Sequence, residues 1–153
     1  MYGFSGGGPF THRFLYLHPE RLLAASIGAP GVVTLLDFDQ DFWVGLRDFE
    51  TVFGKKIDLD AMRRVPVQMV VGGDDVETWE ISITPKDAWW MPGADLAGAT
   101  RIDRINSLKR SFEQHGMGVR LDVVPGIAHD DAGLISQVKD FFGKALSEVR
   151  AHA

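Results

Sequence analysis

The stretch Gly3-Phe4-Ser5-Gly6-Gly7 (residues 3–7, GFSGG) decides the fold, because it reads G-x-S-x-G and precedes an apolar segment. Small residues let a backbone bend sharply from a strand into a helix, and such a turn holds the central serine hydroxyl where a small molecule can reach it. The helix after this turn is predicted over residues 9–17 (PFTHRFLYL). The pattern also arises by chance in glycine-rich turns, so Ser5 is a candidate nucleophile only if suitable partners follow.

Apolar runs and amphipathic segments alternate downstream of this turn. The runs at 22–27, 65–71 and 119–124 are predicted strands, and a glycine-containing turn follows each of them. Residues 100–115 and 134–149 have helical periodicity and are predicted helices. Such alternation implies parallel strands joined by right-handed crossovers. We therefore predict an α/β fold with a short, mostly parallel sheet of about three to four strands, flanked by helices.

Two aromatic-rich inserts interrupt this alternation, at residues 32–64 and 76–99, within what is predicted to be a single domain over residues 1–153. The first insert carries apolar side chains at helical spacing (Phe42, Leu46, Phe49 and Phe53). Their position near the carboxyl edge of the sheet makes both inserts candidate caps or lids. Trp79 and Trp89 in the second insert are candidates to line a pocket, and packing of the insert onto the sheet is the equal alternative.

Polar residues that can assist a serine follow the two later strands. Asp74 and Asp75 follow the strand at 65–71, and His129 follows the strand at 119–124. The carboxyl ends of parallel strands gather at one edge of a sheet, so these residues are expected to meet Ser5 there. A serine hydroxyl needs a base, and a histidine base needs an orienting acid. One aspartate would be that acid and the other a turn residue.

The remaining histidines are predicted to have structural roles (His12, His18, His115 and His152). The first two are expected on helix surfaces, the third at a helix C-terminus, where a cation is favoured, and the last in a fraying tail. Asp130 and Asp131 are predicted to begin the last helix, where acidic side chains suit the helix dipole. We predict no metal site and no cofactor.

Three stretches resemble the α/β-hydrolase superfamily, in particular bacterial serine esterase or depolymerase-like hydrolases: residues 2–31, 65–75 and 101–130. The first is similar to a nucleophile elbow with its helix and next strand. The second is similar to the acid-bearing strand, and the third to the last helix, strand and histidine loop. The resemblance implies Ser5 as the nucleophile, His129 as the base and Asp75 as the acid, with Asp74 as second choice.

The resemblance covers roughly half of the chain and corresponds to the C-terminal half of a hydrolase, from the elbow onward. It implies a carboxylesterase-like serine hydrolase that cleaves small acyl esters, with the Gly6 N–H as oxyanion donor and Phe4, Trp79 and Trp89 near the substrate. Hydrolases of this kind have strands before the elbow and an upstream loop that gives a second oxyanion donor. We therefore expect weak turnover, or turnover that depends on self-association. The alternative is a non-catalytic, hydrolase-derived module that binds or assembles.

Composition limits the partners. The net charge of −5 and the lack of a long basic run argue against nucleic acid and anionic membranes. Without cysteine there is no disulfide or thiolate metal site. No apolar stretch has membrane-spanning length, so a soluble and, by default, cytoplasmic protein is expected.

A half-sheet would leave the strand at 22–27 uncovered on one side, which predicts a homodimer through that edge. Whether the chain is a whole protein or a piece of a longer one stays open.

Overall fold

A single parallel β-sheet organises the structure, a computed structural model that describes residues 1–151. Its four strands are hydrogen-bonded in the order β1-β2-β3-β4, and every neighbouring pair is parallel. The strands are β1 (Tyr2–Phe4), β2 (Ala25–Gly28), β3 (Val67–Gly72) and β4 (Val119–Val124). The predicted α/β class with a short parallel sheet is confirmed. His152 lies outside the described residues.

Helices cover both faces of the sheet. They are α1 (Gly7–Leu17), α2 (Phe49–Phe53), α3 (Leu59–Arg63), α4 (Arg101–Gln114) and α5 (Ile135–Ala151), with a 3₁₀ turn at Pro19–Arg21. On one face, α1 and α4 pack against the strands in the larger core cluster. On the other face, α5 packs against β3 in a smaller cluster.

Side-chain alternation along β3 explains why both faces must be covered. All six of its residues are buried. Met69 belongs to the cluster with α1 and α4, whereas Val70 belongs to the cluster with α5. Successive side chains of a strand point to opposite faces, so an apolar run of this kind needs apolar neighbours on each side.

Several predicted element boundaries differ from the structure. The first helix begins at Gly7 instead of residue 9, and β3 spans Val67–Gly72 instead of 65–71. The strand predicted from residue 22 begins at Ala25, because the 3₁₀ turn precedes it and Leu23 is 62% exposed. The helical spacing between Phe42 and Phe53 gives a helix only from Phe49 onward. The last helix begins at Ile135, so the two acids after His129 do not start it.

The sheet edge also differs from the expected one. The prediction that the strand at 22–27 is uncovered on one side is wrong, because β2 pairs with β1 on one side and with β3 on the other. The edges are instead β1 and β4. Among residues 1–151, no helix has the length and apolar character that crossing a bilayer requires.

Candidate active site

Ser5 lies in the tight turn between β1 and α1. Its backbone has a positive φ of 56°, the left-handed region that non-glycine residues rarely adopt. The turn is held by hydrogen bonds from Ser5 N to Gly28 O (2.9 Å) and from Gly8 N to Ser5 O (3.0 Å). Non-glycine residues persist in this conformation where the surroundings over-determine it, and such strain clusters at functional sites.

The first glycine of the motif is required by the close approach of α1. A Cβ atom on Gly3 would lie 2.1 Å from Gly7 O and 2.4 Å from Thr11 Oγ1. The second motif glycine, Gly7, has open space around the same position. Gly8 is again crowded, with Gly28 O at 2.9 Å from its built Cβ. Gly3 and Gly8 therefore let the helix begin directly against the strands.

His129 connects the serine to a buried acid. Its Nε2 lies 3.0 Å from Ser5 Oγ, and its Nδ1 lies 2.7 Å from Asp75 Oδ2. A carboxylate only accepts hydrogen bonds, so Nδ1 carries the proton and Nε2 is left to accept from the serine hydroxyl. Asp75 is 1% exposed, whereas Asp74 is exposed and does not take part in this chain of hydrogen bonds. The structure thus brings Ser5, His129 and Asp75 together.

The loop that carries His129 is fixed to the end of β3. Gly73 N donates to Val124 O (2.7 Å), and Asp74 N donates to Ile127 O (2.9 Å). A Cβ atom on Gly72 would lie 2.2 Å from Ile127 O, so a glycine is needed there for the loop to approach. The base and the acid are thereby held by one local structure at the ends of β3 and β4.

Phe4 packs against the base. Its ring is stacked on the His129 imidazole, with the centroids 4.6 Å apart and the planes inclined by 26°.

Nearby, Tyr2 donates a hydrogen bond of 2.5 Å from its hydroxyl to Asp131 Oδ1. Burial raises the pKa of Tyr2, and the bond to Asp131 raises it further. Asp131 therefore ties the loop after His129 to β1, in place of the predicted start of a helix.

Gly6, the predicted oxyanion donor, lies at the start of α1. It is the N-cap residue of α1 and directly follows Ser5. The first N–H groups of a helix have no intrahelical partner and carry the positive end of its dipole. The Gly6 N–H can therefore donate to negative charge that develops on an oxygen beside Ser5 Oγ.

A cavity of about 340 Å³ opens beside the serine. Its walls are largely apolar, with Pro9, Val32, Ile81 and Trp89, and the lining also includes Ser5, Gly6, Glu80 and Arg101. Of the two tryptophans proposed for a pocket, Trp89 lines this cavity, whereas Trp79 is 72% exposed and does not. A larger cavity of about 530 Å³ lies around Phe38 and His115 and includes none of the residues that contact Ser5.

The prediction for His12 is wrong, because this residue is fully buried rather than on a helix surface. Its Nδ1 bonds to Gly8 O (2.9 Å), and its Nε2 accepts from Thr34 N (3.0 Å). Burial, followed by the nearby charge of Arg13, lowers the pKa of His12 to about 3. His12 is thus a neutral structural residue that joins α1 to the segment after β2.

His18 and His115 lie at helix ends. His18 follows α1 and is only partly exposed, 3.4 Å from a carboxylate oxygen of Glu20. His115 is the C-cap residue of α4, as predicted, with Nδ1 at 2.7 Å from Ser111 O. Within residues 1–151, no group of three histidine or acidic side chains is arranged to hold a metal ion.

Sequence reasoning missed Arg101, which contacts the acid of this site. Arg101 Nη1 lies 3.1 Å from Asp75 Oδ1, and both side chains are almost fully buried. One signal was present in the sequence, because Arg101 occupies the first turn of a predicted helix. The helix dipole disfavours a cation at that position, so a basic residue there calls for a specific partner.

Comparisons with known proteins agree with this architecture. No protein-family model and no curated protein matches the sequence. Poly(aspartic acid) hydrolase-1 from Sphingomonas sp. KT-1 is similar in structure, with a TM-score of 0.71 and 24% identity, over 91% of this chain and 52% of that chain. A poly(3-hydroxybutyrate) depolymerase from Bordetella parapertussis gives a TM-score of 0.65 and 29% identity, over 84% of this chain and 43% of that chain.

The chain has the fold of part of an α/β-hydrolase. It spans about half the length of the two hydrolases that it resembles. In the α/β-hydrolase fold the nucleophile, acid and base occur in the chain order Ser, Asp or Glu, His. Ser5, Asp75 and His129 follow this order.

Proposed function

We propose that this chain is a serine hydrolase of carboxylesterase type, which cleaves small acyl esters with Ser5, His129 and Asp75. The observation that carries the proposal is the unbroken pair of hydrogen bonds from Ser5 Oγ to His129 and from His129 to Asp75. An isolated serine hydroxyl is a weak nucleophile, and this arrangement is the one that activates it. The largely apolar cavity beside Ser5 is suited to a small acyl group.

In the first half-reaction, Ser5 Oγ attacks the ester carbonyl carbon while His129 Nε2 takes the hydroxyl proton. Negative charge moves to the carbonyl oxygen, where the Gly6 N–H donates to it. When the carbon–oxygen bond to the alcohol breaks, His129 returns the proton to the departing oxygen. The acyl group then remains as an ester of Ser5.

In the second half-reaction, water attacks the acyl-Ser5 ester and His129 accepts its proton. Collapse of the intermediate releases the carboxylic acid, and His129 returns a proton to Ser5 Oγ. Asp75 keeps the imidazole in the required tautomer throughout. One of the similar structures is named as a depolymerase of poly(3-hydroxybutyrate). That polymer is a polyester, so its backbone bonds are esters like those of the proposed substrates.

We propose that turnover is slow, because Gly6 is the one oxyanion donor identified among residues 1–151. Gly6 supplies one N–H, and loss of a single donor typically lowers turnover about 10²- to 10³-fold. A second copy of the chain can supply the other donor, which makes turnover dependent on self-association. Residues 76–99 act as a wall or cap of the site, since Ile81 and Trp89 line the cavity. Residues 32–64 are the second cap, although much of this segment is in the core.

The test compares the wild-type protein with Ser5→Ala in hydrolysis of p-nitrophenyl acetate and butyrate. We expect Ser5→Ala to remove activity above background, and we expect a fluorophosphonate probe to label only the wild type. Asp74→Asn is the matched control, because this exposed neighbour of Asp75 lies outside the hydrogen-bonded chain. Equal hydrolysis by wild type and Ser5→Ala would refute the proposal.

The alternative function is a non-catalytic module that binds or assembles. It is favoured by the extent of the match, since the chain corresponds to about half of each similar hydrolase. Absence of Ser5 labelling, together with a stable complex in solution, would favour this function over the enzyme.

A further inference from the structure

The carboxylate of Asp75 has a second donor besides His129. Arg101, the first residue of α4, donates from Nη1 to Asp75 Oδ1 (3.1 Å) and from Nη2 to Glu80 Oε2 (2.8 Å). The side chains of Asp75 and Arg101 are 0% and 4% exposed, so their contact is closed to solvent. Each oxygen of Asp75 therefore has its own partner, Oδ1 with Arg101 and Oδ2 with His129.

Fold stability alone does not account for Arg101. Removing two charges from water is costly, and a buried ion pair often returns no more free energy than it cost. Arg101 Nε is buried without a hydrogen-bond partner, the one such side-chain atom among residues 1–151. The guanidinium also lies at the positive end of the α4 dipole. Buried polar groups left unsatisfied are rare in native proteins, and a functional role is one accepted reason.

We propose that Arg101 is a positioning residue, which fixes the carboxylate of Asp75 so that His129 is held toward Ser5. The terminal torsion of an aspartate is broad, so a carboxylate with one partner can rotate. With Oδ1 bound to Arg101, the carboxylate is held with Oδ2 toward the imidazole. This inference rests on the proposed function and deepens it.

Glu80 extends the same arrangement to the wall of the cavity. Its carboxylate accepts a hydrogen bond from Nη2 of Arg101. Glu80 also lines the cavity, together with Ile81 and Trp89 of the same segment 76–99. A single series of contacts thus runs from the cavity wall to the nucleophile (Glu80, Arg101, Asp75, His129 and Ser5). Displacement of this wall would therefore be transmitted to the acid.

The experiment measures labelling of Ser5 by a fluorophosphonate probe in Arg101→Gln, Arg101→Lys and Glu80→Gln. The maximal labelling rate and the half-saturating probe concentration are determined separately, and thermal unfolding is followed in parallel. Arg120→Gln is the matched control, because Arg120 also bridges two carboxylates, those of Asp122 and Asp140, but has no contact with the site.

We expect Arg101→Gln to lower the maximal rate about 10- to 100-fold, since loss of the orienting acid itself costs about 10⁴-fold. The half-saturating concentration should change by a smaller factor, because Arg101 also lines the cavity. Arg101→Lys should be intermediate, because one ammonium cannot hold both carboxylates in the same fork geometry. Glu80→Gln should lower the rate by a smaller factor. When Glu80→Gln is combined with Arg101→Gln, the labelling rate should fall no further than in Arg101→Gln alone, since both residues act through Asp75. The control should label as the wild type does.

The inference is overturned if folded Arg101→Gln labels at the wild-type maximal rate, or if only its half-saturating concentration changes, which would indicate damage to the cavity. If Arg101→Gln does not fold, wild-type rates in both Arg101→Lys and Glu80→Gln overturn it.

Failure of the proposed function has a different signature, because wild-type Ser5 would then not be labelled at all. In that case proton NMR of the His129 Nδ1–H tests the inference about Arg101 independently of activity. Its downfield resonance reports the bond to Asp75, and we expect it to shift or broaden in Glu80→Gln and Arg101→Lys but not in Arg120→Gln. An unchanged resonance in the first two variants would overturn the inference.

Discussion

The histidines His129 and His12 differ in what their ring nitrogens contact. His129 is bonded to a carboxylate and to the Ser5 hydroxyl, so its proton can move between defined partners. His12 is bonded to a backbone carbonyl and a backbone N–H, neither of which ionises near neutral pH. The chemistry of a histidine is therefore set by its partners, which suit His129 to the proposed role of a base and make His12 a structural link.

Titration of His12 predicts how stability depends on pH. The folded-state pKa of about 3 lies below the unfolded value near 6.5, so the unfolded chain binds the proton first as the pH falls. The contribution of neutral His12 to the free energy of unfolding should therefore be complete above pH 6.5 and should fall by about 1.4 kcal/mol per pH unit between about pH 6.5 and pH 3. Chemical denaturation of wild type and His12→Asn at pH 7.5 and 5.5 measures this contribution.

We expect His12→Asn to be less stable than the wild type at pH 7.5, because the bond from Thr34 N is lost. It should also lose less stability than the wild type between the two pH values, since asparagine does not titrate. Equal losses in the two proteins would show that other groups cause the pH dependence.

At the scale of elements, the end of β3 organises the site. Gly72 lets the His129 loop approach, Gly73 donates a backbone hydrogen bond to the last residue of β4 and Asp74 donates one to the loop, and Asp75 follows at once. One turn therefore sets the positions of both acid and base. A change at this turn should alter the two residues together, even though neither is replaced.

Gly72→Ala tests this arrangement. The added Cβ would lie 2.2 Å from Ile127 O and 2.3 Å from Ala128 O, so the His129 loop must shift. We expect Ser5 labelling to fall about 100-fold, the effect of a displacement near 1 Å in a catalytic group. Stability should fall by about 1–3 kcal/mol, as is typical of overpacking.

Gly118→Ala is the control for this variant, because its added Cβ has no atom within 4 Å. It should keep wild-type labelling and a nearly unchanged unfolding midpoint. A Gly72→Ala protein that labels as fast as Gly118→Ala would contradict the role assigned to the β3 end.

Elements with a regular pattern could be predicted from sequence, whereas contacts between distant segments could not. β4 was predicted with its observed bounds, and α4 to within one residue at each end, because each has a clear period. The spacing of Phe42 and Phe53 instead reflects an aromatic contact, in which the ring centroids lie 4.9 Å apart although no continuous helix joins the two residues. The contact of Arg101 with Asp75 joins residues 26 positions apart, and no local pattern encodes it.

At the scale of the whole molecule, the sheet has two edges of different character. β4 is a six-residue strand, whereas β1 has only three residues and is bonded to β2 alone. Strand edges present unpaired N–H and C=O groups that can pair with another chain. The nucleophile follows β1 directly, so an interface at this edge would lie beside the active site.

We predict that the protein self-associates through the β1 edge, most simply as a two-fold dimer. Light scattering at micromolar concentration should give about twice the chain mass of 16.9 kDa. Specific activity should rise with protein concentration over the range in which the dimer forms. A clean monomer at these concentrations would contradict the prediction.

The short β1 strand has a further consequence for catalysis. Local opening of β1 would carry Ser5 away from His129, while β3 and β4 keep the imidazole bonded to Asp75. Only molecules with β1 closed are then competent, and the observed rate is scaled by that population. Any chain that completes the β1 edge would thus activate the proposed hydrolase without contacting the substrate. The free energy needed to open the three residues of β1 would set the fraction of competent molecules.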